Sequence, residues 1–196
     1  MTRTILVTSL AILLAGCRTT PQGRLMTEDE GDLVGAKSAG AETYNRLIDQ
    51  SLTKLLARRD GEVKGSSARV AFVALENKSI EDIGDWQAQI EQVIETTIEH
   101  TDRYRLISKR FVEAAFRELR FRPDDLFIPA KRREFAQILE RDQNPVDFLL
   151  YAVLTSGTTK GAEVKQRDYI LTMEIINVAT GDQDKESTRI RKEYQR

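Results

Sequence analysis

The chain has 196 residues, in which 30 Lys and Arg balance 31 Asp and Glu to a formal net charge of −1, and it contains one cysteine. The near-neutral charge gives no basic surface of the kind that nucleic-acid binding requires. The single cysteine excludes an internal disulfide, so the fold must rest on buried apolar surface, and a chain of this length predicts one domain.

The N-terminus has the pattern of a secretory signal peptide. Arg3 precedes an apolar run over residues 5–15, which is too short for the roughly 20 residues that span a bilayer. The sequence Leu14-Ala15-Gly16-Cys17 resembles the bacterial lipobox, in which the cysteine takes a diacylglycerol and becomes the new N-terminus. We therefore expect residues 1–16 to be removed and Cys17 to carry lipid. The alternative is an ordinary cleaved signal, or a buried helix, with a chance cysteine.

The segment after the cysteine is predicted to be a tether. In Gram-negative lipoproteins an aspartate at the next position indicates inner-membrane retention, so Arg18 favours the outer membrane in that comparison. Residues 17–38 contain few apolar side chains and several glycines, which predicts a flexible linker. Its root-mean-square span is about 25 Å from the relation for flexible chains. The acidic residues 28–30 and 32 indicate a solvated linker rather than a cation site.

The first half of the domain alternates helix and strand. Apolar positions from Tyr44 to Leu56 recur at helical spacing and predict a helix that ends near Gly61. The apolar run over residues 69–75 predicts a buried strand. A second amphipathic helix is predicted to begin near Asp82 or Asp85 and to end around His100.

A short strand over residues 104–108 and two more helices are predicted next. Ser108 is in position to cap the third helix, and Pro123 ends its pattern. Pro129 suits the first turn of the fourth helix. The inward-facing side chains are predicted to be Phe111, Val112, Ala115, Phe116 and Leu119 in the third helix, and Phe135, Ile138 and Leu139 in the fourth.

Three strands are predicted to complete the chain. Residues 148–154 form the most apolar segment of the mature protein and predict a central strand, while residues 169–176 alternate between an apolar and a mixed face. A turn at Thr180–Gly181 leads into a polar edge strand near residues 185–190. The fold class is therefore α/β: over residues 39–196, a single-domain sandwich with a mixed β-sheet, helices packed on it and element order α-β-α-β-α-α-β-β-β.

The sequence offers little material for catalysis. Its one histidine, His100, is predicted at a helix C-terminus, where an imidazolium interacts with the last carbonyls. No Ser/His/Asp set, Gly-rich phosphate loop or histidine–carboxylate metal spacing occurs. The compact carboxylate pair Asp124–Asp125 follows Arg-Pro and indicates a loop or helix start. We expect no enzymatic activity, cofactor or metal.

Several pieces of residues 68–193 match those of a known family in serial order. These pieces are Leu75-Glu-Asn-Lys-Ser79, Tyr104-Arg-Leu-Ile-Ser108, Phe111-Val-Glu-Ala-Ala-Phe-Arg-Glu-Leu119, Pro123-Asp-Asp-Leu126, Asp147-Phe-Leu-Leu-Tyr151, Ser156-Gly157 and Thr180-Gly181-Asp182. Residues 68–193 thus resemble the family of penicillin-binding protein activators typified by LpoB. The resemblance implies a periplasmic lipoprotein of the outer membrane that binds and activates a bifunctional (class A) peptidoglycan synthase, with no catalysis, small-molecule substrate or nucleic acid of its own.

The partner-binding surface is predicted on the third helix and the loop that follows it. Cations and aromatic rings, the residue types that dominate protein interfaces, combine there in Arg117, Arg120, Phe121, Arg122 and Phe127. The alternative is a solvated helix face with both phenylalanines turned inward. A second candidate function is a non-catalytic assembly or secretion lipoprotein on a related TolB-like or curli-secretion-like fold. The charged C-terminal strand is unsuited to inserting into a membrane, which favours the activator.

Overall fold

The computed structural model describes residues 39–63, 65, 67–161 and 164–195. The predicted signal peptide, the predicted lipidation residue Cys17 and the predicted tether lie outside these residues. The helices are α1 (Ala41–Arg59), α2 (Gly84–Glu99), α3 (Lys109–Leu119) and α4 (Pro129–Arg141), and the strands are β1 (Ala68–Lys78), β2 (Tyr104–Leu106), β3 (Phe148–Lys160), β4 (Val164–Asn177) and β5 (Gln183–Gln195). The α/β class and the predicted order of helices and strands are confirmed. Two short 3₁₀ helices, Asp60–Glu62 and Pro123–Phe127, were not predicted.

The five strands form one mixed sheet in the order β2-β1-β3-β4-β5. The pairs β1–β2 and β1–β3 are parallel, because helices return the chain to the same end of the sheet between these strands. The pairs β3–β4 and β4–β5 are antiparallel neighbours in sequence. The strand predicted to be central, β3, is the middle strand of the sheet.

Helices cover both faces of the sheet. The helices α1 and α2 pack on one face, and α3 and α4 pack on the other. Adjacent β3 residues point to opposite faces, with Leu150 in the α1/α2 core and Leu149 in the α3/α4 core, both fully buried. The architecture is therefore a three-layer α/β sandwich.

The strand β2 is shorter than predicted. It ends at Leu106, because Ser108 is already the N-cap residue of α3. The predicted side-chain cap is wrong: no Ser108 side-chain bond caps the helix, and its backbone carbonyl accepts from the Phe111 amide at 2.9 Å. The short β2 pairs with β1 only over Ala68, Arg69 and Val70.

The apolar stripe of α3 also differs from the prediction. Phe111 was assigned to the inner face, but 43% of it is exposed. Val112 and Ala115 are buried, and Phe116 and Leu119 are half-buried, which is the i, i+3, i+4, i+7 spacing of one helix face. Phe111 lies one position, or roughly 100°, off that stripe.

Helix α4 follows the prediction closely, whereas β3 and β4 extend beyond the predicted residues 148–154 and 169–176. Pro129 is the first residue of α4, and Phe135 and Leu139 are fully buried, while Ile138 is half-buried. The predicted edge strand is an edge, but it is longer than expected, because β5 pairs with β4 from Gln183 to Gln195.

A register shift interrupts the β1–β3 ladder. Phe72 lies opposite Leu150 and Ala74 opposite Tyr151, so that Val73 is an extra residue in β1. This is the arrangement of a β-bulge, which locally reorients the strand.

Candidate partner-binding surface

The helix α3 ends earlier than Pro123, at a residue with left-handed backbone. Arg120 has φ 56° and ψ 34°, and the amide of Phe121 donates to the carbonyl of Phe116 at 3.2 Å. A non-glycine residue in this conformation costs about 1–2 kcal/mol, which the surrounding contacts must offset. The turn directs the chain from α3 into the 3₁₀ helix Pro123–Phe127.

Asp125, inside the 3₁₀ helix, connects it to the residue before it and to α4. Its carboxylate accepts from the Arg122 amide at 2.8 Å and from the Lys131 ammonium at 2.7 Å. The hydrogen bond from the backbone amide, followed by the one from Lys131, lowers the pKa of Asp125. Of the two interpretations of Asp124–Asp125, a loop or a helix start, the structure shows the start of a 3₁₀ helix, in which the Asp125 carboxylate has a structural role.

Two aromatic side chains leave this segment in different directions. Phe127 is 43% exposed and stacks on Tyr151, with ring centroids 5.0 Å apart and planes at 30°. Phe121 is half-buried against the α3/α4 core, with the Lys131 ammonium 4.9 Å from its ring centroid. Burial raises the pKa of Tyr151, whose hydroxyl donates to the Pro123 carbonyl at 3.2 Å. Phe127 is thus presented to solvent on a fixed aromatic support.

We call the five predicted residues, Arg117, Arg120, Phe121, Arg122 and Phe127, the α3 exit surface. Its three arginines are exposed, and its two phenylalanines differ, because only Phe127 is largely at the surface. The sequence offers two alternatives, an interface that includes both rings and a helix face with both rings turned inward. The first describes Phe127 and the second describes Phe121. Binding at this surface stays a prediction. Sequence reasoning missed Ile128, which adds an apolar side chain that is 49% exposed.

His100 lies at the C-cap of α2, as predicted. Its amide donates to the Thr96 carbonyl at 3.0 Å. It borders an open groove of about 480 Å³ that Asp60, Asp102 and Tyr104 also line. The described part of the chain holds no group of three or more His, Cys, Asp or Glu side chains placed to bind a metal ion.

A buried polar network joins the loop after β1 to strands β4 and β5. The Glu81 carboxylate pairs with the Arg167 guanidinium and accepts from the Tyr169 hydroxyl at 2.6 Å. The hydroxyls of Tyr169 and Tyr194 are 3.1 Å apart. Burial, and then the hydrogen bond to Glu81, raises the pKa of Tyr169. Glu81 also accepts from the Ala39 amide at 3.2 Å.

Sequence reasoning missed this network. Its only sequence signal is that Arg167 precedes Tyr169 by two residues, which puts both on the same face of a strand. The side chains of Arg167 and Glu81 are 8% and 10% exposed, so the pair belongs to the interior and is no binding surface.

Across the described residues, no helix combines the length and the apolar character needed to cross a membrane.

The comparisons with known proteins concern the fold. No protein-family model matches the sequence, and no curated protein matches it significantly. LpoB of E. coli gives a TM-score of 0.47 and 14% identity over 100% of this chain and 94% of that chain. Lipoprotein GNA1162 of Neisseria meningitidis gives a TM-score of 0.45 and 18% identity over 64% of this chain and 83% of that chain. The C-terminal domain of LpoB from Salmonella enterica gives a TM-score of 0.52 and 14% identity over 75% of this chain and 97% of that domain. The described part of the chain therefore has an LpoB-like fold.

Proposed function

We propose that this protein is a lipoprotein anchored at Cys17 in the outer membrane, and that it binds and activates a class A peptidoglycan synthase in the periplasm. The observation that carries the proposal is the LpoB-like fold of the described residues. In the sequence, the predicted lipobox and the predicted linker precede them. Activation here means non-catalytic binding that changes the rate of the synthase.

The chemistry of the described residues supports a binding role. The buried ionisable pair Glu81–Arg167 is neutralised within itself, and the Asp125 carboxylate is used by a helix cap. Neither arrangement offers an acid and a base facing a common substrate position, which general acid–base catalysis requires.

The α3 exit surface supplies the chemistry of an interface. It presents three guanidinium groups and the ring of Phe127, and Arg and aromatic side chains are enriched among interface residues that dominate affinity. The surface is preorganised, because the left-handed turn at Arg120 and the cap at Asp125 fix its backbone. Its positive charge suits an acidic docking module on the synthase.

The predicted linker would limit where docking can occur. As a flexible chain, residues 17–38 would have a root-mean-square span of about 25 Å. Fully stretched, they reach about 70 Å. An outer-membrane anchor would therefore require an inner-membrane synthase to project its docking module outward.

The direct test measures glycan polymerisation by a purified class A synthase of the same bacterium, with and without the full-length protein in detergent. We expect a several-fold increase in rate. The variant Arg120→Glu/Phe127→Ser should bind at least tenfold more weakly, and Arg133→Glu, an exposed arginine of α4, is the matched control. Absence of binding and of stimulation would refute the proposal.

The anchor has its own test. Cys17→Ser should yield a product that no longer incorporates labelled fatty acid, because the thiol that takes the diacylglycerol is gone. Continued labelling of the variant would refute the lipoprotein assignment.

A further inference from the structure

We infer that the open edge of β1, residues 72–78, is a site at which an extended segment of a partner protein adds as a further strand of the sheet. The strand β1 runs from Ala68 to Lys78, but β2 pairs with it only as far as Val70. The last hydrogen bond across this edge runs from the Ile107 amide to the Val70 carbonyl at 2.8 Å. The inference goes beyond the proposed function, because it holds whichever protein is the partner.

The backbone groups of this edge point out of the sheet. The Val70 carbonyl faces β2, and residues of one strand whose side chains share a face direct their backbone groups to the same side. Phe72 and Leu75 lie in the α1/α2 core with Val70. Val73 and Ala74 together lie opposite Tyr151, so that the bulge leaves the Leu75 side chain on the same face as that of Phe72.

These groups have no partner within the described part of the chain. No hydrogen bond there joins the amide or carbonyl of Phe72 or Leu75 to an element beyond the edge. Unpaired backbone groups of a strand are the chemistry that recognises another extended backbone, as in strand addition to exposed sheet edges. A helix satisfies its own backbone groups and offers nothing to them.

A groove runs along the same edge and has room for side chains. Its volume is about 410 Å³, and residues 72–75 form its floor between α2 and α3. The α3 side is apolar at Val112 and Phe116 and charged at Lys109, Glu113 and Arg117, and Phe121 lines the groove just beyond the helix. The α2 wall is polar at Gln87 and Glu91, and the Glu91 carboxylate pairs with the Lys109 ammonium of α3. The side chains of a strand alternate between two sides. The occupant is therefore an extended segment with apolar residues at every second position, facing Val112 and Phe116, and polar residues between them, facing Gln87 and the Glu91–Lys109 ion pair.

The experiment selects randomised twelve-residue peptides displayed on phage against the full-length protein in detergent. We expect the enriched peptides to alternate apolar and polar residues. Synthetic versions should lose binding at least tenfold when amides on one edge are N-methylated, because the added strand binds through its backbone. Hydrogen exchange at the amides of Phe72 and Leu75 should slow at least tenfold in the complex.

A blocking variant and a matched control locate the site. Glu113 is exposed on α3 and borders the groove, so that Glu113→Trp fills it and should weaken binding at least tenfold. Glu134→Trp makes the same change at an exposed position of α4 away from the groove and should bind as the parent does.

Four results would overturn the inference. These are no enrichment, enriched peptides with helical periodicity, equal binding to the two tryptophan variants, and edge amides that become protected as the free protein is concentrated. The last result would assign the edge to a second copy of this chain.

Discussion

The two edges of the sheet are built differently. The β5 edge carries exposed charges at Arg189, Arg191 and Glu193. The helix α1 adds a further guard, because the Arg58 guanidinium donates to the Lys185 carbonyl at 2.8 Å. Charged side chains along an edge, and side chains that occupy its backbone groups, prevent pairing with other chains.

At residues 72–75, the β1 edge has neither charged strand residues nor a side chain from the described part of the chain bound to its backbone groups. Its charges, Glu76 and Lys78, stand at the end of the strand and pair with each other at 2.9 Å. Residues 72–75 are apolar and open into the groove between α2 and α3. Access to this edge is restricted by the helices on either side, whose side chains Glu91 and Lys109 form an ion pair beside it.

The β5 edge is therefore protected against pairing with any extended chain. The β1 edge remains open to pairing, and the flanking helices α2 and α3 restrict which strand can reach it. A guarded edge contributes to solubility, and a recessed one is suited to recognition.

The largest expected effect comes from a substitution in β3, which joins the parallel and the antiparallel parts of the sheet. Leu150 of β3 is fully buried in the α1/α2 core, so Leu150→Asp should abolish cooperative unfolding, because a buried charge without a partner is costly. Thermal unfolding followed by circular dichroism tests this. Thr159→Asp, at an exposed position of the same strand, should unfold like the parent. A cooperative Leu150→Asp melt at the parent temperature would show that β3 is not the core strand.

A substitution in the buried Glu81–Arg167 network tests whether the loop after β1 is coupled to strands β4 and β5. Arg167→Met leaves the Glu81 carboxylate buried without its cation and should lower the free energy of unfolding by about 3–5 kcal/mol. Urea denaturation measures this loss.

Glu81→Gln/Arg167→Met is the informative control, since it removes both charges. It should lose less than the sum of the two single variants, because neither charge is left unpaired. Additive losses would mean that the two side chains do not interact.

Removing the charges of the β5 edge should break the asymmetry between the edges. Arg189→Thr/Arg191→Thr/Glu193→Thr keeps strand-forming residues, and we expect a folded protein that self-associates at roughly tenfold lower concentration than the parent. Light scattering across a dilution series measures this.

The matched control changes three exposed helix charges, Arg110→Ala/Arg133→Ala/Glu134→Ala. It should leave self-association unchanged. Equal association of both triple variants would assign the effect to net surface charge rather than to the edge.

The smallest expected effect concerns the contact between the Arg58 guanidinium and the Lys185 carbonyl of β5. Arg58→Met should cost less than about 1 kcal/mol of stability, because the contact is exposed. Hydrogen exchange should nevertheless quicken locally in β5 and remain unchanged in β1. Unchanged exchange in β5 would show that the guanidinium does not protect this edge.

The order of elements could be predicted because each strand and helix carries its own periodicity. The stretch 148–154 had to be interior, since it is apolar on both faces. The exposure of Arg117, Arg120 and Arg122 could likewise be predicted, because arginine side chains are rarely fully buried.

The open edge of β1 could not be predicted in this way. It depends on where β2 stops, and residues 104–108 are equally compatible with a strand of three or of five residues. The start of α3 at Lys109 decided the outcome. The pairing of Glu81 with Arg167 joins residues 86 positions apart, and no local pattern encodes such a contact.

The hydrogen bond from Ala39 to Glu81 determines how the domain would bear mechanical load. A pull on the chain ahead of Ala39 first stretches this bond, and the buried Arg167 behind Glu81 passes the force to β4. The strand β4 is held between β3 and β5 along its whole length, so that the force is distributed over two ladders of hydrogen bonds. If the lipid anchor proposed at Cys17 holds the chain, tension there would be spread into the sheet before it could peel α1 away.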